Sequence, residues 1–510
     1  MPVTGGSGWS RRRFLVASGA SALGVLAAGC GSDRQREAIK ATDPAVARRE
    51  KQRRIAGAGR KVVDLVAGSV SLDLAGRVVQ TVGYGGTVPG PEIRVRAGDE
   101  LEVRFRNELS TPTTIHWHGL AIRNDMDGVP AMTQPRIEPG KSFTYRFIVP
   151  DAGTHWFHPH MGLDLDRGLY APIVVESPDE SADHDTEAIL VLDDWLDGID
   201  GATPERTYRN LVDQGGMGRM NGGAGAPGGM GGMGHEMRGS VVESMTDFGD
   251  VVYPLHLVNG RPPADPLTVA TPAGGRVRLR LVNAGSDTVY RVAVGGQTMT
   301  VTHLDGFPIE PVETDAVRLS MGERVDVIVQ PSSGAWPIHA VAEGKDGSAL
   351  AVLRTSDSEA TAAPNVGDRL AEHDRRLFDD TTAKATESAA LKGGRPSRSI
   401  KLALTGGMMS YAWGINGRAF GKHKPVEIEE GERVQLVLRN ETMMVHPMHL
   451  HGHTFALPGE RGARKDTVLV HPGTIVSVDL LADNPGQWML HCHNTYHLEA
   501  GMATELSYVQ

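Results

Sequence analysis

The chain has 510 residues, 22% charged and 5% aromatic, with 63 glycines, 30 prolines and a formal charge of −10. This length implies two or three domains, and the Gly/Pro-rich mix suits short strands and turns better than long helices. The acidic balance excludes a general nucleic-acid binder, and two cysteines, Cys30 and Cys492, exclude a disulfide framework, while 20 histidines and 19 methionines raise the question of metal.

Residues 1–29 read as an address. Ser10-Arg11-Arg12-Arg13-Phe14-Leu15 precede an uncharged run, 16–28, too short to span a bilayer stably. The arginine pair resembles the twin-arginine export signal, a route for folded, cofactor-loaded proteins. Leu26-Ala27-Ala28-Gly29-Cys30 resembles a bacterial lipoprotein cleavage site, with Ala27 where such sites usually carry Leu. Cys30 would then be acylated, holding the protein in the cell envelope on the outer face of the cytoplasmic membrane. Residues 30–60 are polar without apolar periodicity and read as a tether.

The body of the chain repeats itself. Residues 98–107 (GDELEVRFRN), 274–283 (GGRVRLRLVN) and 431–440 (GERVQLVLRN) share apolar residues at the same offsets and end on Asn107, Asn283 and Asn440. Period-two alternation predicts a half-buried strand in each. Val258-Asn259-Gly260-Arg261 and Ile415-Asn416-Gly417-Arg418 precede the second and third copies. Three related all-β sandwich domains follow, 61–180, 181–357 and 395–510, with 358–394 as a linker. The second contains a Met/Gly-rich insertion, 214–237, with Met217, Met220, Met230, Met233 and Met237. Thioether sulfur suits Cu(I), so this segment reads as copper-recruiting.

Four clusters carry the chemistry: His116-Trp117-His118, His158-Pro159-His160, His446-Pro447-Met448-His449-Leu450-His451 and His491-Cys492-His493. On a strand, residues i and i+2 share a face, so each His-x-His pair can converge on one centre. Cys492 must then face away from His491 and His493. His497 and Met502 follow Cys492 at steps of five. A thiolate, two imidazoles (His497 and His446) and a weak Met form the ligand set of a blue-copper electron-transfer site. Zinc is disfavoured by this spacing and by the lack of paired cysteines.

These motifs, their order and the threefold repeat resemble the three-domain bacterial multicopper oxidases, in the copper-tolerance (cuprous oxidase, laccase-like) branch with actinobacterial lipoprotein members. The resemblance implies three cupredoxin-like Greek-key sandwiches and four copper ions. His446, Cys492, His497 and Met502 match the type 1 ligands, and His116 and His449 the type 2 pair. His118, His158, His160, His451, His491 and His493 match the type 3 ligands, and the middle domain would be copper-free.

The resemblance further implies four one-electron oxidations coupled to reduction of O2 to water. Asp127 matches an acid near the type 2 copper. The family's second relay acid would directly follow His497, where this chain has Leu498, and Glu499 one place later is expected to face elsewhere. Asp466 is a candidate to orient a ligand histidine, with a surface loop charge as the alternative. His155 and His453 read as packing or supporting residues, and His184, His256, His303, His339, His373, His423 and His471 carry no metal signal.

Cu(I) is the expected donor, with phenols, aromatic amines or Fe(II) as alternatives and non-catalytic copper sequestration as a third reading. Met444 matches a substrate-copper methionine, but Thr442 replaces the acid two residues earlier, and a core role for Met443 and Met444 competes with that match.

Overall fold

The computed structural model describes residues 36–177, 184–214, 248–358, 369–392, 394–407 and 409–510. The signal and Cys30, and nearly all of the Met-rich insertion, lie outside these residues. Among the described residues no helix is long and apolar enough to cross a membrane.

Each repeated segment becomes a strand, Glu100–Asn107, Val277–Asn283 and Arg433–Asn440. Each pairs in parallel with the strand that opens its sandwich (Arg60–Leu74, Thr186–Trp195 and Arg398–Gly407) and antiparallel with another. The terminal asparagines explain why that residue recurs. Asn107 Nδ2 donates to the carbonyls of Thr111 and Ile137, Asn283 Nδ2 to Thr288 and Leu319, and Asn440 Nδ2 to Met444 and Val470. Each Oδ1 accepts a backbone N–H two residues on, so one buried amide closes the loop leaving the strand.

The first sandwich pairs two four-stranded sheets, and the second and third each pair a six-stranded with a five-stranded sheet. Clustered histidines lie on the sheet of strands His116–His118 and Gly153–His158 in the first sandwich, and of His446–Leu450 and Gln487–Cys492 in the third. The predicted alternation of one buried and one solvated face fails in the second copy, where Val277–Asn283 is buried throughout. Arg278 and Arg280 both pair with Asp326 there, and Arg280 also donates to Thr154 Oγ1 of the first sandwich at 2.9 Å. The first sandwich covers the face that would otherwise meet water.

The tether reading needs correction from residue 37 onward. Ala38 bridges Val509, Ile39 N–H donates to Tyr508 O at 2.8 Å, and Ile39, Ala45 and Val46 enter the core. Helix α1, Pro44–Arg53, is capped by Asp43. Its buried Glu50 accepts the Ile148 N–H of the first sandwich at 2.7 Å, while Arg49 reaches Asp483 of the third at 3.0 Å. The segment is short of apolar residues, but the few it has are buried and its charges bridge two domains. The linker region is likewise packed down: Ala385 bridges Ile309 of the second sandwich and Lys384 bridges Gly462 of the third.

Candidate metal centre

Strand spacing produces the predicted division. Cys492 Sγ lies 3.6 Å from Nδ1 of both His446 and His497, whose Nδ1 atoms are 3.1 Å apart. His491 and His493 project to the other side, among six more histidines. There the nitrogens converge in overlapping sets, each within 4.8 Å: His116, His118 and His449; His118, His158 and His493; His160, His451 and His491. All eight are buried except His160, which is partly exposed. The first and third sandwiches therefore build this cluster jointly.

The donor chemistry fits metal. Burial pushes His118, His158, His160, His446, His451, His491 and His493 well below the usual imidazole range, so each keeps a lone pair to offer. One nitrogen of each supported ring is already spent on protein. His451 Nδ1 donates to Asp127 Oδ2 at 2.9 Å, His491 Nδ1 to Cys492 O at 2.8 Å and His158 Nδ1 to Pro159 O at 2.9 Å. The other nitrogens face each other: His451 Nε2 is 3.1 Å from His491 Nε2, and His449 Nε2 is 3.4 Å from His116 Nε2. Neutral imidazoles with that proton already used cannot satisfy one another. Separations of this size suit ligands bound at about 2.0–2.3 Å to a common ion. His118 Nδ1, His158 Nε2 and His493 Nε2 have no protein partner at all.

The expected supporting acids are in place. Asp127 lies between His451 and His116, whose Nδ1 is 3.2 Å from Asp127 Oδ1. Asp466 is fully buried, which removes the surface-charge alternative; its Oδ1 stands 3.2 Å from His118 Nε2 and 3.3 Å from His449 Nδ1. Met502 is buried beside the thiolate strand, its carbonyl accepting the Cys492 N–H at 3.0 Å. His453 donates from Nδ1 to His451 O and pairs through Nε2 with Tyr508, and His155 lies against Gly306. Neither joins a metal group.

Two expectations change. Glu499 does not face elsewhere: with Leu498 it lines a cavity of about 380 Å³ that also exposes His158, His160, His491 and His493. Helix Thr495–Glu499 is a single turn capped by Asn494, so adjacent residues at its end both reach the cavity wall, and burial raises the Glu499 carboxyl. Met444 is 1% exposed and belongs to the core, whereas Met443 is 59% exposed.

Several residues of the thiolate site gave no sequence signal. Asp250 Oδ2 accepts from His497 Nε2 at 3.0 Å and from the Tyr411 hydroxyl at 2.7 Å. The Trp413 ring lies 4.2 Å from that of His497, and Thr442 Oγ1 is 2.7 Å from His446 Nε2.

Comparison with known proteins agrees with this geometry. Family models described as multicopper oxidase match residues 67–180, 240–358 and 395–509, one for each sandwich. The chain is 42% identical to multicopper oxidase MmcO of Mycobacterium tuberculosis, over 98% of this chain and 97% of that one. It is 30% identical to a copper resistance protein A homolog of Pseudomonas syringae pv. tomato, over 87% and 91%. A solved multi-copper oxidase from Pseudomonas thermotolerans is 29% identical with TM-score 0.64, covering 89% of this chain and 100% of its own. With candidate metal groups, among the described residues, in the outer sandwiches alone and a matching domain in each position, the chain belongs to the multicopper oxidase family, whose members carry type 1, type 2 and type 3 copper.

Proposed function

We propose that this oxidase takes electrons from Cu(I), converting it to Cu(II) outside the cytoplasm and so removing the more toxic form. His446, Cys492, His497 and Met502 would hold the type 1 copper, and His116 and His449 the type 2 copper. His118, His158, His160, His451, His491 and His493 would hold the type 3 pair. When bound, these ions supply one-electron redox at the thiolate and reduction of O2 to water at the histidine cluster.

The chain's own residues do the rest. The backbone between Cys492 and its neighbours His491 and His493 joins the two sites covalently. Asp127 accepts the His451 Nδ1 proton on Oδ2 and so orients that ring, and the cavity lined by Glu499 gives O2 and water a way to the cluster.

The observation that carries the choice of donor is the placement of the described residues on either side of the insertion. Helix α2, Pro204–Gln214, leads into it, with Tyr208 packed against Tyr411 and Tyr496, and Asp250, the partner of His497, lies just beyond it. The described residues that flank the soft-ligand segment thus lie beside the proposed type 1 site. Similarity to proteins named copper resistance protein A favours the same reading. Similarity to laccases keeps phenols as a second donor class. O2 uptake measured with Cu(I), Fe(II) and a bulky phenol tests the choice. The highest kcat/KM is expected on Cu(I); a phenol preference sinks the cuprous reading, and copper binding without O2 uptake on any donor sinks both.

We propose export by the twin-arginine route and anchoring through acylated Cys30. Fatty-acid labelling of the wild type and of Cys30→Ala checks the anchor, and equal labelling of the two would refute it.

A further inference from the structure

Among the described residues the middle sandwich supplies no candidate ligand, yet one of its turns reaches the cluster. Gly322, Glu323 and Arg324 lie in the turn between strands Ala316–Leu319 and Arg324–Val329. Gly322 has φ +89°, and a Cβ there would stand 2.9 Å from His493 Cδ2 and 3.0 Å from His118 Cε1. Glu323 takes the ammonium of buried Lys465. Arg324 is fully buried and uses all five N–H groups. Nε donates to Thr154 O of the first sandwich at 3.1 Å, Nη1 to Gly322 O at 3.0 Å and Asp466 Oδ1 at 2.8 Å, and Nη2 to Asp305 O at 2.9 Å and Asp466 Oδ2 at 2.6 Å. A planar guanidinium fork does this; an ammonium cannot hold both carboxylate oxygens in the same way.

The carboxylate so held accepts from His118 Nε2 through Oδ1 at 3.2 Å, while His449 Nδ1 lies 3.0 Å from the Asp466 main-chain O and 3.3 Å from Oδ1. For Asp466 to accept from His118 Nε2 and His449 Nδ1, each of those nitrogens must carry the proton. That leaves His118 Nδ1 and His449 Nε2 with the lone pairs, the atoms that face the other cluster histidines. The two rings stack at 3.7 Å and 12°, so turning one disturbs the other.

We propose that Arg324 is a positioning residue for the part of the cluster where His116 and His449, the type 2 pair, meet His118 of the type 3 set. By fixing the Asp466 carboxylate it sets the tautomer and ring angle of His118 and, through the stacked pair of rings, the ring angle of His449. The middle domain, which contributes no candidate ligand among its described residues, thereby determines whether copper binds there. This rests on the reading of those three histidines as copper ligands.

Copper-loaded wild type, Arg324→Met and Arg324→Lys are compared by metal content, thiolate absorption, the type 2 electron paramagnetic resonance signal and donor kinetics. Arg324→Met is expected to keep its thiolate absorption and lose most of the type 2 signal. Its kcat should fall roughly 10- to 100-fold at unchanged donor KM, with partial recovery in Arg324→Lys. A wild-type signal in Arg324→Met overturns the proposal, as does loss of thiolate and type 2 signals in proportion. If Arg324→Met does not fold, Arg324→Lys and Asp466→Asn decide by the same readouts. Selective loss of the type 2 signal in both supports the proposal, and any other pattern overturns it. Absence of a type 2 signal from the wild type would instead overturn the ligand assignment.

Discussion

Asp250 Oδ2 accepts the Nε2 proton of His497 at 3.0 Å, joining a residue of the second sandwich to the thiolate site of the third. With Tyr411 donating to the same oxygen, the imidazole is held with Nδ1 toward Cys492. Asp250→Asn should therefore lower donor oxidation about 10- to 100-fold, the usual cost of losing such a support. It should also raise the type 1 potential by removing a negative charge. Visible absorption and a redox titration check this; an unchanged potential would assign Asp250 a packing role only.

Cys492 is the free thiol among the described residues and the only sulfur in its metal group. Cys492→Ser is expected to abolish the thiolate-to-copper absorption and donor oxidation while the histidine cluster still loads. A variant that remained blue would move the type 1 site elsewhere.

Deleting residues 214–237 should separate the two donor classes. Cu(I) oxidation is expected to fall several-fold while turnover of a bulky phenol holds or rises, as read by O2 uptake. Equal effects on both donors, or none, would argue against copper recruitment by the methionines.

The N-terminal segment clasps the two domains that share the cluster, through Glu50 on Ile148 and Arg49 on Asp483. Glu50→Ala leaves the buried Ile148 N–H without its acceptor, a loss of about 1–3 kcal/mol. A lower melting temperature is expected, with O2 reduction lost on heating before the thiolate absorption. Coincident loss of the two signals would mean that α1 does not hold the cluster together.

His256 lies far from the ligands in sequence and tests the acid limb of stability. Burial, aided by Lys345, lowers its pKa to about 4. A folded value below the unfolded one, about 6.5, means that the unfolded chain takes up the proton first. This contribution is complete above pH 6.5 and is lost as pH falls toward 4. Denaturant titrations across that window should show stability falling with pH, with a shallower slope in His256→Gln; equal slopes would show that the group is not buried neutral.

Much of the site was legible because its information is local. The i, i+2 spacing of His116 with His118, and of His491 with His493 around Cys492, fixes which side chains share a face of a strand. The repeated Asn107, Asn283 and Asn440 marked equivalent strands before their loop-closing bonds were seen. Glu499 was misplaced because its direction was taken from the family's relay position directly after His497, whereas the single helical turn of Thr495–Glu499 brings both Leu498 and Glu499 to the cavity wall. The helix at Pro44–Arg53 was missed because its stability comes from docking on two sandwiches and not from its own sparse apolar pattern.

The sequence by itself determined the all-β repeat and the four histidine clusters, since strand periodicity and short spacings carry them; the twelve proposed copper ligands and Asp127 followed from the resemblance of those motifs to the multicopper oxidases. Only the tertiary structure decided that Asp250 supports His497, that Thr442 meets His446 and that Arg324 fixes Asp466. Asp250 and Arg324 are solitary residues far along the chain from their partners, and Thr442, though only four residues from His446, belongs to a loop and follows no strand spacing. Their roles arise when the packing of three sandwiches buries charges that must then find partners.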